Sequence, residues 1–149
     1  DTLIKTAYNY TERGLQIVTI KPSVDTKGDR QIIARGGAKR AVNILATPDM
    51  DIRKAVSTLA SKDSPIACVL VDEAQFLTPS QIDQLLDIAK TDNISVIAYG
   101  LRADFRRQLF PGAKRLFELA DAIEKLPTMC RCGSQAEFNC RKLGDTYVF

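Results

Sequence analysis

The stretch CVLVDEAQF, Cys68 to Phe76, ends a short apolar run in two adjacent carboxylates, Asp72 and Glu73. That pair suits phosphoryl chemistry. An Asp at the mouth of an apolar strand is the Walker B arrangement, in which the carboxylate touches Mg²⁺, directly or through water, beside a nucleotide phosphate. A Glu directly after it is placed to take a proton from an attacking oxygen. The plainer alternative is that both residues begin a loop or cap the next helix, and for a lone Asp after a strand that reading is the better one. Two carboxylates followed by Gln75, Phe76 and a cleanly capped helix favour chemistry.

In a parallel sheet, ligands sit beyond the carboxyl ends of the strands. A second apolar run ends there in Tyr99-Gly100-Leu101-Arg102-Ala103-Asp104-Phe105. Phe76 and Phe105 therefore follow two strand ends and could converge on one pocket. For any single Phe a place in the core is the better bet; position just past a strand end, beside charged residues, shifts the balance towards a pocket. Arg102, Arg106 and Arg107 could neutralise phosphate, but on a loop they are equally at home in solvent, and they are not assigned to the site.

Composition bounds what such a site can use. The chain has 149 residues, 45% apolar and 26% charged, the profile of a globular domain with its own core. A net charge of +3 is too little to imply nucleic acid, though compatible with an anionic small ligand. There is no histidine, so a general base must be a carboxylate, lysine, tyrosine or cysteine. No apolar stretch approaches the roughly 20 residues that span a membrane, and the opening residues carry no signal-peptide pattern. A soluble, cytoplasmic setting is expected, with no membrane and no nucleic acid among the partners.

The elements that must position these residues alternate. TLIKTAYNYTERG has helical apolar spacing and stops at Gly14; LQIVTIKP reads as a strand closed by Pro22. SVDTKGDRQIIARGGAKR is a basic, glycine-bearing loop with a brief strand at QIIA, and AVNIL is a further candidate strand. Pro48-Asp49-Met50-Asp51 offers caps for a helix over IRKAVSTLASK. IACVLV is a buried strand; Thr78 as N-cap and Pro79 at the first position open a helix over SQIDQLLDIAKT. ISVIAYG is another strand, and AKRLFELADAIEKL reads as the last helix. Strands and helices in alternation indicate an α/β layer around a mostly parallel sheet.

A Walker A loop, G-x-x-x-x-G-K-[ST], does not occur: GGAKR and PGAKR are the nearest segments, and both lack the spacing. The first residues are already helical, whereas a P-loop fold runs strand, glycine loop, helix. The expectation is a P-loop fold entered one step late, with its first strand and phosphate loop preceding residue 1.

YNYTERG, VDTKGD, VLVDEAQFLT, AYGLRADFRRQLFPGAKRL and MCRCG occur in that order, from about Ala7 to Ala136. Together they resemble the thymidine kinase family of the non-viral, zinc-bearing type (type II). The resemblance implies a P-loop NTPase-like (RecA-like) α/β domain over residues 1–127, and over 128–149 part of a small zinc-binding and lasso-loop subdomain. It implies transfer of the ATP γ-phosphoryl group to the 5′-hydroxyl of thymidine, with Mg²⁺, in nucleotide salvage. Glu73 matches the catalytic base. Asp72, Glu73, Ala74 and Gln75 match the stretch that contacts nucleotide and Mg²⁺, and Phe76, Leu101 and Phe105 match positions enclosing the thymine. The family is commonly a homotetramer inhibited by thymidine triphosphate (dTTP).

Cys130 and Cys132, with Gly133 permitting a sharp bend, have the form of a zinc knuckle. Two thiolates do not close a tetrahedral site, and the resemblance implies a second ligand pair beyond Phe149; Cys140 falls where the family carries none. The run from Arg141-Lys142 into Leu143-Gly144-Asp145-Thr146-Tyr147 is shorter than the family's loop. Residues are expected to be missing between Lys142 and Leu143, with Tyr147 beside the deoxyribose or base. Lys27 stands where the family commonly has Arg, and Asp25 lies near the phosphates by the same match. Two other readings compete: a P-loop ATPase or helicase-like core, with Glu73 activating water, and a non-enzymatic zinc-binding interaction module.

Overall fold

The computed structural model describes residues 2–24, 31–33, 39–101, 110–125 and 144–149. Four helices occur among them, α1 (Thr2–Glu12), α2 (Ile52–Leu59), α3 (Pro79–Lys90) and α4 (Pro111–Leu119). The strands are β1 (Gln16–Pro22), β2 (Gln31–Ile33), β3 (Lys39–Ala41), β4 (Ile44–Ala46), β5 (Ile66–Val71), β6 (Ser95–Leu101), β7 (Ala122–Lys125) and β8 (Gly144–Val148). Six of them form one sheet in the order β4-β1-β5-β6-β8-β7, and β2 and β3 form a separate antiparallel pair. The expected mostly parallel α/β fold is what the chain adopts.

β5 lies at the centre because it is apolar on both faces. Val69 and Val71 pack under α2, α3 and α4, while Cys68 and Leu70 join Leu3 and Ala7 of α1 on the other face. A strand buried on both sides reads as a continuous apolar run rather than an alternating one. In register, Ile20 of β1 and Ala98 of β6 flank Val71 on either side. The strand ends therefore line up, and Asp72 and Gly100 come out at one carboxyl edge. Asp72 N–H still donates to Ile20 C=O at 2.8 Å, so the ladder runs to the last residue before the turn.

Local chemistry sets the helix boundaries. Gly14, with φ +73, ends α1, and Leu15 N–H returns to Tyr10 C=O across 3.1 Å. Asp51 caps α2 by accepting from Lys54 N–H. Thr78 and Gln81 form a reciprocal capping box at α3, with Pro79 at the first position. The buried Gln81 amide also donates to the carbonyls of Thr47 and Met50, which ties the β4–α2 connection to α3.

The helix expected over AKRLFELADAIEKL is shorter than its sequence suggests. It stops at Leu119, Ala120 turns extended, and Ala122–Lys125 becomes β7. Strand pairing overrides helical propensity here, because β7 completes an antiparallel ladder with β8, the strand on its inner side. β8 is antiparallel to both β6 and β7, so it alone runs against the other strands of the sheet. Among the described residues no helix is long and apolar enough to cross a membrane.

Candidate active site

At the mouth of β5 the chain makes a tight turn under strain. Glu73 has φ 51 and ψ 43, in the left-handed region, and a 3-10 turn over Ala74–Phe76 follows it. Among the described residues only Glu73 and Asn93 combine a side chain with positive φ. Asn tolerates that region through local hydrogen bonding; Glu has no such help, and the conformation costs on the order of 1–3 kcal/mol. It lifts the carboxylate out of the strand line while Phe76 N–H closes the turn on Glu73 C=O at 3.1 Å.

The carboxylate is held. Gln75, 2% exposed, donates from Nε2 to Oε2 of Glu73 at 2.6 Å and accepts at Oε1 from Leu101 N–H at 3.1 Å. One buried amide thus joins the end of β5 to the end of β6. Two glycines let the backbone close in on this turn. A Cβ on Gly100 would lie 2.7 Å from Gln75 Oε1, and one on Gly112 would lie 2.5 Å from Leu77 C=O and 2.8 Å from Gln75 C=O. Gly112 belongs to PGAKR, which resembled a phosphate loop only superficially; its role is to seat α4 on the turn.

Phe76 closes the turn with its ring 41% exposed, edge to face with Phe110 at 5.4 Å between centroids. Asp72 and Glu73 are half-buried beside it, as is Leu101 at the end of β6. The structure therefore brings together Asp72, Glu73, Gln75, Phe76 and Leu101 at one edge of the sheet, while Ala74 is buried beneath them. Phe110 escaped the sequence reading, because nothing in FPG distinguishes an aromatic helix cap from a loop Phe.

Tyr147 is placed differently from the expectation. Its ring is fully buried on the helical face beneath α4, edge-on to Phe117, so it offers no exposed surface to a nucleoside. The reason is the pairing of β8 beside β6, which sets Tyr147 opposite Ala98 within the core. Phe105, Cys130, Cys132, Cys140, Asp25 and Lys27 lie outside the described residues. Cys68 is a core thiol: it is fully buried, and burial pushes its pKa up to about 11. A cavity of about 480 Å³ between α2 and the starts of β5 and β6 lies at the opposite edge of the sheet; its Arg53 is already paired with Asp92.

Two hard oxygen donors at this mouth fit Mg²⁺, which takes one or two carboxylates and completes its shell from phosphate and water. Among the described residues no group of three or more metal-ligating side chains occurs, and such a Mg²⁺ needs none.

The family profile for thymidine kinase matches residues 1–149. The chain belongs to the thymidine kinase family. A thymidine kinase of Enterobacteria phage T4 is 41% identical over 145 residues, which cover 97% of this chain and 74% of the relative. A thymidine kinase of Coxiella burnetii is 40% identical over 141 residues, 94% of this chain and 71% of the relative. One from Rhizobium etli is 39% identical over 134 residues, 90% of this chain and 67% of the relative. Membership of this family makes the protein a kinase, with thymidine kinase activity, and favours neither the ATPase nor the zinc-module reading.

Proposed function

We propose that Glu73 is the general base of this thymidine kinase and that Asp72 is its Mg²⁺ carboxylate. The observation that carries the reading is the strained, amide-held Glu73 at the mouth of β5, beside an exposed aromatic ring. In the reaction the 5′-oxygen of thymidine forms a bond to the γ-phosphorus of ATP as the bond to the β,γ-bridging oxygen breaks. The hydroxyl proton passes to a Glu73 carboxylate oxygen, giving dTMP and ADP. Little covalent chemistry is asked of the protein; the work is positioning and charge stabilisation. Mg²⁺, when bound, supplies charge that offsets the phosphates. Phe76 and Leu101, joined by Phe105, enclose the thymine and exclude water, so that hydrolysis of ATP does not compete.

The rest of the proposal rests on sequence pattern. Cys130 and Cys132 supply two ligands of a structural Zn²⁺ in a subdomain that opens at residue 128, while Gly144–Val148 belong to the main sheet as β8 rather than to that subdomain. The enzyme serves nucleotide salvage in the cytoplasm as a homotetramer under dTTP feedback, and it needs no nucleic acid or membrane.

The test is a γ-phosphoryl-transfer assay on the full-length protein, with ATP, Mg²⁺ and each of the four deoxynucleosides in turn. Transfer confined to thymidine, with negligible ATP hydrolysis in its absence, is the expected result. ATP hydrolysis without transfer to any nucleoside would move Glu73 to water activation.

A further inference from the structure

The side-chain amide of Gln75 does more than line a nucleotide site. Both of its ends are committed within the protein: Nε2 donates to Glu73 Oε2 at 2.6 Å, and Oε1 accepts from Leu101 N–H at 3.1 Å. At 2% exposure it has almost no surface left for a ligand. Gly100 leaves the room for this contact, since a Cβ there would meet Gln75 Oε1 at 2.7 Å. On the other side Gly112 lets α4 press on the Gln75 carbonyl, where a Cβ would come within 2.8 Å. The amide is therefore wedged, and its orientation is dictated: the Leu101 N–H requires the oxygen on one side, which turns the NH₂ towards the carboxylate.

We propose that Gln75 is a positioning residue for the base. It fixes the Glu73 carboxylate by holding Oε2, and it keeps Oε1 free to meet the hydroxyl of the phosphoryl acceptor. Among the described residues Glu73 Oε1 carries no hydrogen bond. Gln75 also makes the base sensitive to the end of β6. Leu101, whose N–H anchors the amide, stands among the residues assigned to the nucleobase, so base and acceptor pocket share one hinge-free connection. The inference rests on Glu73 being the general base, and the experiment separates the two claims.

The experiment is a double-mutant cycle on the full-length protein, read as single-turnover transfer from labelled ATP to thymidine. Gln75→Met keeps the side-chain volume and removes donor and acceptor. Gln75→Glu keeps the acceptor for Leu101 N–H and sets a second carboxylate against Glu73. Both are made in the wild-type and in the Glu73→Gln background, with thermal unfolding recorded for each. In the wild-type background each is expected to lower the transfer rate about 10–100-fold, the scale seen when the support of a functional group is removed, with thymidine KM changed less than about threefold. In the Glu73→Gln background the same changes are expected to have little further effect, because residues acting through one group are non-additive. Equal losses in both backgrounds would make Gln75 a structural residue and overturn the proposal, as would an unchanged rate in the wild-type background. A Glu73→Gln protein that transfers at the wild-type rate would sink the assignment of the base itself.

Discussion

The rings of Phe76 and Phe110 meet edge to face, with centroids 5.4 Å apart and planes at 73°. One ring ends the 3-10 turn after the carboxylates, and the other caps the amino end of α4. Such pairs add about 0.5–1.5 kcal/mol beyond burial, enough to fix the orientation of the Phe76 ring. Phe76→Ala removes a ring that is 41% exposed, so its effect on the melting temperature is expected to be small. The loss of about 1–3 kcal/mol of base stacking corresponds to a thymidine KM raised about 5- to 150-fold, with kcat less affected. Steady-state kinetics on the variant decide it: an unchanged KM with a collapsed melting temperature would return Phe76 to the core.

Gly112 should tolerate no side chain. The nearest atoms to a Cβ there are the carbonyl oxygens of Leu77 and Gln75, at 2.5 and 2.8 Å, and backbone cannot rotate aside. Gly112→Ala is expected to destabilise the protein by about 1–3 kcal/mol, the usual cost of overpacking, and to lower kcat because α4 then pushes on the turn that carries Glu73. Urea unfolding monitored beside activity checks both effects. A variant as stable and as active as the wild type would contradict the packing.

Cys68 gives the protein an alkaline weakness. Burial raises its thiol from 9.0 to about 11, and the charge on Cys68 in turn is the chief cause of the raised Tyr10. A folded-state value above the unfolded one means stability fully present below about pH 9 and lost as pH rises through about 11. The urea midpoint is therefore expected to fall across that window, and to fall less in Cys68→Ala. Iodoacetamide at pH 8 should leave Cys68 unlabelled in the folded protein and label it in urea, as peptide mapping would read. Labelling in the folded protein would contradict the burial.

Much of this was legible in the sequence, for physical reasons. The two-sided apolarity of IACVLV marks a central strand, and Thr78-Pro79 states its helix start through side-chain chemistry that acts within four residues. Gly14 likewise marks a helix end by its own conformation. The misses all depend on distant partners. AIEK, Ala122–Lys125, is helical by propensity and becomes β7 only because β8 pairs with it, and the same β8 pairing carries Tyr147 into the core. The DEAQ segment announces carboxylates, but neither the left-handed turn at Glu73 nor the bond from Leu101 to Gln75 can be read from it. They arise where β6 and α4 close on the turn, and the glycines that permit this, Gly100 at the end of ISVIAYG and Gly112 in PGAKR, carry no mark of that role in the sequence.

The central claim is that Glu73 takes the proton from the 5′-hydroxyl, and its most direct test is Glu73→Gln, which keeps the size of the side chain and removes its charge. Thymidine affinity by calorimetry and the single-turnover rate of transfer from ATP are measured on the same preparation. The account predicts binding within about threefold of wild type and a transfer rate lower by about 10²–10⁴-fold, the usual loss when a positioned base is removed. Transfer at the wild-type rate, with thymidine bound as before, would contradict it.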